Sequence, residues 1–270
     1  MKKYYFELLV KGSNLEPLKE LVFDLGFTCI EEFDGGFFLR DEEDLSVCEF
    51  AINEFAKNLG IDITTTISQK ENQDWVKKYQ ESVDPIRVGK FYVRPSWCEP
   101  DGNIDIIIDP AIAFGSGHHE STNSCLKLIS QYIDPSIHKN ALDVGCGSGI
   151  LSIALKSLGL NVDACDTDIQ ACEATKENAS KNNLILDDVF QGSATDTTKT
   201  YDVVIANIIA DIILMLSKDL KNRVNPGGVL ILSGILNKYK NRILDSFGDL
   251  KLIENKTQGD WESFIFKKEE

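Results

Sequence analysis

The stretch that decides the fold is Ala141-Leu142-Asp143-Val144-Gly145-Cys146-Gly147-Ser148-Gly149-Ile150. A short apolar run ends in an acid and three alternating glycines, and a helical pattern follows. If residues 140–144 form a buried parallel strand and Gly149 opens a helix, the glycines let the backbone turn tightly and approach a ligand that a Cβ would exclude. Twenty-one residues after Gly145, closing the apolar run Val162 to Cys165, stands Asp166. That placement suits a carboxylate gripping ribose hydroxyls, so the pair of features points to a nucleotide-type cofactor.

The dinucleotide fingerprint sets its third glycine three residues after the second, but position 150 is Ile and the spacing is G-x-G-x-G, which weakens an NAD reading. No G-x-x-x-x-G-K-[ST] occurs, so no P-loop is expected. The pattern Asp143 to Gly149 resembles the first motif of class I S-adenosylmethionine-dependent methyltransferases, and Asp166 falls where that family holds the ribose. A glycine-rich turn in an unrelated α/β domain and an NAD-binding module without methyl transfer are the alternatives.

At 270 residues and 43% hydrophobic content the chain has room for one large and one small domain, each with a core. The longest apolar candidate, Val203 to Leu216, is interrupted by Asn207 and Asp211, which argues against a membrane span. Residues 1–7 carry no small-residue cleavage site, and a cytoplasmic location is expected. Seven scattered cysteines without a C-x-x-C pair fit reduced core thiols, not a disulfide framework or a zinc site. The net charge of −15 disfavours broad or sequence-specific nucleic-acid binding and suits a basic protein substrate, with solubility as the alternative reason for the acidity.

Along the chain, strands are expected at 4–10, 29–33, 37–40 and 61–67. Asn14 would cap one helix ending at Gly26, and Asp44 a second over 45–59 with Val47, Phe50, Ala51, Phe55 and Leu59 inward. That order, β-α-β-β-α-β, is ferredoxin-like. Residues 1–66 hold 14 acids and 6 bases, so −8 of the −15 sits in a quarter of the chain, which reads either as a solvated face or as an electrostatic landing surface for a lysine-rich partner. Residues 67–74 are polar and expected as a linker. The second domain, 75–270, begins with a porch over 75–139, with a short helix at 75–81 and strands at 86–88, 91–93 and 104–108. Its core, 140–270, alternates strands (141–144, 162–166, 186–190, 202–206, 228–233) with helices, including 150–158 and 169–182, as in a doubly wound sheet. An antiparallel pair, 251–256 and 262–267, closes it. Together these give an α/β protein with a Rossmann-like seven-stranded class I methyltransferase sheet after a small ferredoxin-like domain.

The loop 111–124 feeds a helix start, where backbone N–H groups suit a carboxylate. Adjacent His118 and His119 do not share a helix face, so no metal is expected; His119 fits loop ordering or a cofactor contact. Strand 202–206 ends in Asn207-Ile208-Ile209-Ala210, which lacks the prolines and aromatic that hold a flat nitrogen in [DN]-P-P-[YFW] enzymes. An aliphatic amine needs desolvation and alignment instead.

Asp109-Pro110, Ala113 to Thr122, Asp143 to Gly149, Asp166 and Asn207 to Ala210 together resemble the ribosomal protein L11 methyltransferase family. The similarity extends to Asp74-Trp75, Pro85 to Gly89 and Pro95-Ser96-Trp97. Ser116 and Ser121 stand where the family usually has Thr, and Ala111 where Gly is common. The resemblance implies an S-adenosylmethionine-dependent enzyme that methylates lysine ε-amines, and an N-terminal α-amine, of ribosomal protein L11, free or on the ribosome, with the first domain recognising that substrate. It implies cofactor contacts at Thr122, Gly145, Asp166 and Asn207, with Phe114, Gly115, Gly117, His119 and Gly147 as secondary candidates, Asn207 near the transfer site, and a monomer. Another protein lysine or a small molecule is the alternative acceptor.

Overall fold

The computed structural model describes residues 4–27, 29–71, 84–109 and 119–270. The helix expected at 75–81, Asp74-Trp75 and the loop bearing Phe114, Gly115, Gly117 and His118 lie outside the described residues. The chain divides into two compact units, Met1–Val83 and Asp84–Glu270.

The first unit runs β1 (Tyr4–Gly12), α1 (Glu16–Asp24), β2 (Glu31–Phe33), β3 (Gly36–Asp41), α2 (Ser46–Leu59) and β4 (Ile63–Glu71). Its sheet has the order β2-β3-β1-β4 with every neighbouring pair antiparallel. Alternate residues of β1 and β3, Leu8, Val10, Phe37 and Leu39, share one face and join Leu18 and Val22 of α1 and Cys48, Ile52 and Ala56 of α2 in a single core.

Three expectations are corrected here. Asn14 does not cap α1: its φ of 58° belongs to the left-handed region, and the cap position falls to Leu15. On α2 the buried stripe is Cys48, Ile52 and Ala56, whereas Val47 and Phe50 are 81% and 69% exposed. The helix carries two apolar stripes, and small side chains let it lie close to the sheet, so the bulkier stripe turns outward. Residues 68–71, read as the start of a linker, continue β4. As an edge strand β4 tolerates Ser68, Gln69 and Lys70, because its outer side meets water.

The second unit starts with a small sheet of β5 (Ile86–Val88), β6 (Phe91–Arg94) and β7 (Ile104–Ile107), followed by α3 (Glu120–Tyr132). Then come β8 (Asn140–Val144), α4 (Ile150–Ser157), β9 (Asn161–Asp166), α5 (Ile169–Lys181), β10 (Asp188–Gln191) and β11 (Tyr201–Asn207). The chain ends with α6 (Ala210–Met215), α7 (Ser217–Arg223), β12 (Val224–Leu236), α8 (Lys240–Ser246), β13 (Lys251–Gln258) and β14 (Trp261–Lys267). The seven-stranded sheet has the order β10-β9-β8-β11-β12-β14-β13. Its first five strands are parallel, and β14 runs antiparallel to both neighbours.

Side chains alternate along the buried strands, so each supplies two cores. Ala141, Val203, Ile205 and Ile231 pack with α3 and α4 on one face; Leu142, Val204, Ala206 and Leu232 pack with α6, α7 and α8 on the other. Each fully buried Ile or Leu contributes ~1.5–3 kcal/mol, and the paired layers hold the strand ends rigidly. Among the described residues no helix is long and apolar enough to cross a membrane.

Candidate active site

The site lies beyond the carboxyl ends of β8, β9 and β11, where parallel sheets leave a crevice. The turn after β8 is pinned from three directions. Gly145 and Cys146 donate their N–H groups to the carbonyl of Cys165 at 2.8 and 3.0 Å. Gly147 donates to Asp166 Oδ2 at 3.0 Å. From α5, Thr175 Oγ1 donates to the Gly147 carbonyl at 3.1 Å and Asn178 Nδ2 to that of Ser148 at 2.9 Å.

Gly145 and Gly149 have φ of 77° and 79°. A Cβ on Gly145 would overlap Ile208 Cγ2, and one on Gly149 would stand 3.0 Å from the Thr175 backbone. Both positions therefore need glycine for conformation and for space. Asp166 is a shared node: its Oδ1 also accepts from the Asp168 N–H at 3.0 Å, and Asp168 in turn caps α5 through the Gln170 N–H at 2.9 Å.

Behind the turn, Asp143 is 1% exposed and accepts from Ser152 Oγ at 2.6 Å, while its Oδ1 has no partner among the described residues. Burial pushes its carboxyl up to about 6, against the lowering effect of the Ser152 hydrogen bond. Burial likewise raises the thiols of Cys146 and Cys165, which keeps them protonated and inert.

At the end of β11, Asn207 Nδ2 donates to Thr122 Oγ1 at 3.2 Å, and its buried Oδ1 has no partner among the described residues. His119 caps α3, accepting from the Ser121 N–H at 3.3 Å and lying 2.7 Å from Ser121 Oγ. Its ring meets Trp261 edge to face, with centroids 4.8 Å apart.

A cleft of about 490 Å³ joins these groups, within the ~300–1,000 Å³ of small-molecule sites. Gly145, Gly147, Asp166, Asn207 and His119 all line it. Thr122 is 1% exposed and stands behind Asn207. Residues that the sequence did not single out are Gly192 and Ser193 after β10, Ile212 and Leu216, Gly234 in β12, and Trp261 at the start of β14. For Gly192 and Ser193 a signal existed, since they follow the carboxyl end of a parallel strand. Trp261 and Gly234 reach the cleft through tertiary packing that no local pattern announces.

The cleft brings together the Asp166 carboxylate, the Asn207 carboxamide and a glycine turn that admits close backbone approach. The five-parallel, seven-stranded sheet with an antiparallel β14 is the architecture of class I methyltransferases.

The family model "Ribosomal protein L11 methyltransferase (PrmA)" matches residues 32–269. The ribosomal protein L11 methyltransferase of Campylobacter fetus subsp. fetus is 60% identical over 268 residues, covering 99% of this chain and 98% of that one. The protein of the same name from Campylobacter concisus is 50% identical, with 99% of each chain covered. Among solved structures, the ribosomal protein L11 methylase of Lactobacillus delbrueckii subsp. bulgaricus aligns with a TM-score of 0.64 and 26% identity, over 70% of this chain and all of that one. The chain belongs to the ribosomal protein L11 methyltransferase family.

Proposed function

We propose that this chain transfers the methyl group of S-adenosylmethionine to amines of ribosomal protein L11, both lysine ε-amines and the N-terminal α-amine. The observation that carries the reading is Asn207, which lines the cleft with its carboxamide tied to Thr122 and apolar side chains around it. A polar group held in such a wall orients an uncharged amine for in-line attack, and positioning of that kind supplies much of the rate.

Bound in the cleft, S-adenosylmethionine supplies an electrophilic methyl on a sulfonium centre. Asp166 holds its ribose, and the Gly145–Gly147 backbone faces the rest of the cofactor. Phe114, Gly115 and Gly117 enter through the family resemblance alone. Around Asn207 the wall is apolar, with Ile208, Ile209, Ile212, Leu216 and Trp261. Such a wall favours the neutral amine over the ammonium, and only the neutral form has a lone pair with which to attack.

The first unit is assigned as the recognition domain, and its β-α-β-β-α-β order with the sheet order β2-β3-β1-β4 supports a ferredoxin-like fold. Its acidic surplus suits a lysine-bearing partner, and exposed Val47 and Phe50 on α2 add apolar contact area beside Glu49 and Glu54. The family resemblance adds a cytoplasmic location and a monomer to this reading.

The test is to incubate the pure chain with methyl-labelled S-adenosylmethionine and unmethylated L11, then map the label by peptide mass spectrometry. Label on lysine side chains and on the N-terminal amine is expected. Label confined to other side chains would overturn the amine assignment.

A further inference from the structure

Asn207 ends β11 directly opposite Ser233 of β12, and the chain beyond it has to leave the sheet without pushing the carboxamide away from the cleft. The strand β12 accommodates this with an irregularity. Its register against β14 shifts between Leu232 and Ile235, so Ser233 and Gly234 sit in a bulge. Bulges re-aim side chains and are enriched beside active sites.

Gly234 has a φ of 79°, and it packs against the peptide of Ile208. A Cβ at this position would stand 2.5 Å from the Ile208 carbonyl oxygen, 3.0 Å from its carbon and 3.1 Å from its nitrogen. All three are backbone atoms of the residue bonded to Asn207, so no side-chain rotation relieves the contact. Gly145 touches the same residue differently: there a Cβ would meet only the Ile208 side chain. Ile208 is thus gripped between two glycines, by its side chain at β8 and by its backbone at β12.

Ser233, fully buried, works on the partner of the carboxamide. Its Oγ lies 3.2 Å from the Ser121 carbonyl and 2.7 Å from Ser263 Oγ. Bonding to Ser121 ties down the first turn of α3, and the next residue of that turn, Thr122, receives the Asn207 hydrogen bond. One bulge therefore touches both neighbours of the Asn207–Thr122 pair.

We propose that the Ser233-Gly234 bulge of β12 is the positioning element of the transfer site: Gly234 sets the Ile208 peptide, Ser233 sets the first turn of α3, and together they fix the Asn207 carboxamide. The inference rests on the proposed role of Asn207 in methyl transfer. Neither residue touches the reacting atoms, and both act through Asn207.

The test is a double-mutant cycle in the full-length protein, with Gly234→Ala, Asn207→Ala and the pair. For each protein kcat and KM for L11, S-adenosylmethionine affinity by calorimetry, and Tm are measured. Gly234→Ala is expected to lower kcat about 10- to 100-fold, as a misplacement near 1 Å does, with less than about threefold change in KM. The double variant should be no slower than Asn207→Ala alone, because effects that act through one group do not multiply. Adding Ile208→Ala should leave the Gly234→Ala defect in place, since the obstructed atoms are backbone. Independent, multiplying losses, or wild-type kcat in Gly234→Ala, would overturn the proposal. If Gly234→Ala does not fold, the same cycle with Ser233→Ala and Asn207→Ala decides by the same criterion. If the wild-type enzyme does not methylate L11, the reading of its substrate fails separately, and the cycle is read in the calorimetric affinity for S-adenosylmethionine: non-additive losses support the coupling and additive ones refute it.

Discussion

Asn207 Nδ2 and Thr122 Oγ1, 85 residues apart in the chain, meet at 3.2 Å and leave the amide oxygen buried and unpartnered among the described residues. The Thr122 hydroxyl anchors one end of the carboxamide. Thr122→Val keeps the shape and removes the acceptor, so it should lower kcat about tenfold while Tm changes little, given the ~0.5–1.5 kcal/mol net value of such a bond. Single-turnover rates and thermal melts check this; an unchanged rate would show that the carboxamide needs no support.

Asp166 joins the glycine turn to α5, accepting from Gly147 and Asp168 at 3.0 Å each. Asp166→Ala removes a charged acceptor worth ~1.5–3 kcal/mol. The affinity for S-adenosylmethionine, measured by calorimetry, should fall at least about tenfold. Unaltered affinity would sink the ribose assignment.

Asp143 gives a pH signature. Its carboxyl is pushed up from 3.8 to about 6, chiefly by burial. Between those values the folded chain keeps a proton that the unfolded chain has released, so the contribution of this group to stability falls as pH rises through that window and is constant above it. Asp143→Asn abolishes the effect. The Tm of the variant minus that of the wild type should grow between about pH 4 and pH 6 and then level off. A difference that is flat across the range would contradict the account.

How much of this was legible in the residues varies with the physics involved. The turn Gly145 to Gly149 and the place of Asp166 beside it could be read directly, because a tight turn after a parallel strand demands glycine and the end of the next strand falls next to it. The phase of α2 could not: Cys48-Ile52-Ala56 and Val47-Phe50 are both apolar stripes, and only packing against Leu8, Val10, Phe37 and Leu39 chooses between them. The length of β4 was hidden because an edge strand does not require the alternation that marks a half-buried one. Gly234 was silent for a third reason. Its necessity comes from the Ile208 peptide lying against it, a contact between segments that only the folded sheet brings together.

The acidic surface of the first unit predicts salt dependence. Glu42, Glu43 and Glu54 are exposed, and changing all three to Gln should raise KM for L11 at low ionic strength by about threefold or more. The difference should vanish near 1 M salt, where the Debye length is ~3 Å. Equal KM values at low salt would remove electrostatic steering from the account.

The most direct measurement is methyl transfer itself. The pure chain, labelled S-adenosylmethionine and purified unmethylated L11 are combined, and label on L11 is followed over time, with Asp166→Ala as the comparison. The account predicts steady incorporation into L11 by the wild-type chain and a loss of at least about tenfold in the variant at subsaturating cofactor. S-adenosylmethionine bound tightly by the wild type, with no label reaching L11, would contradict it.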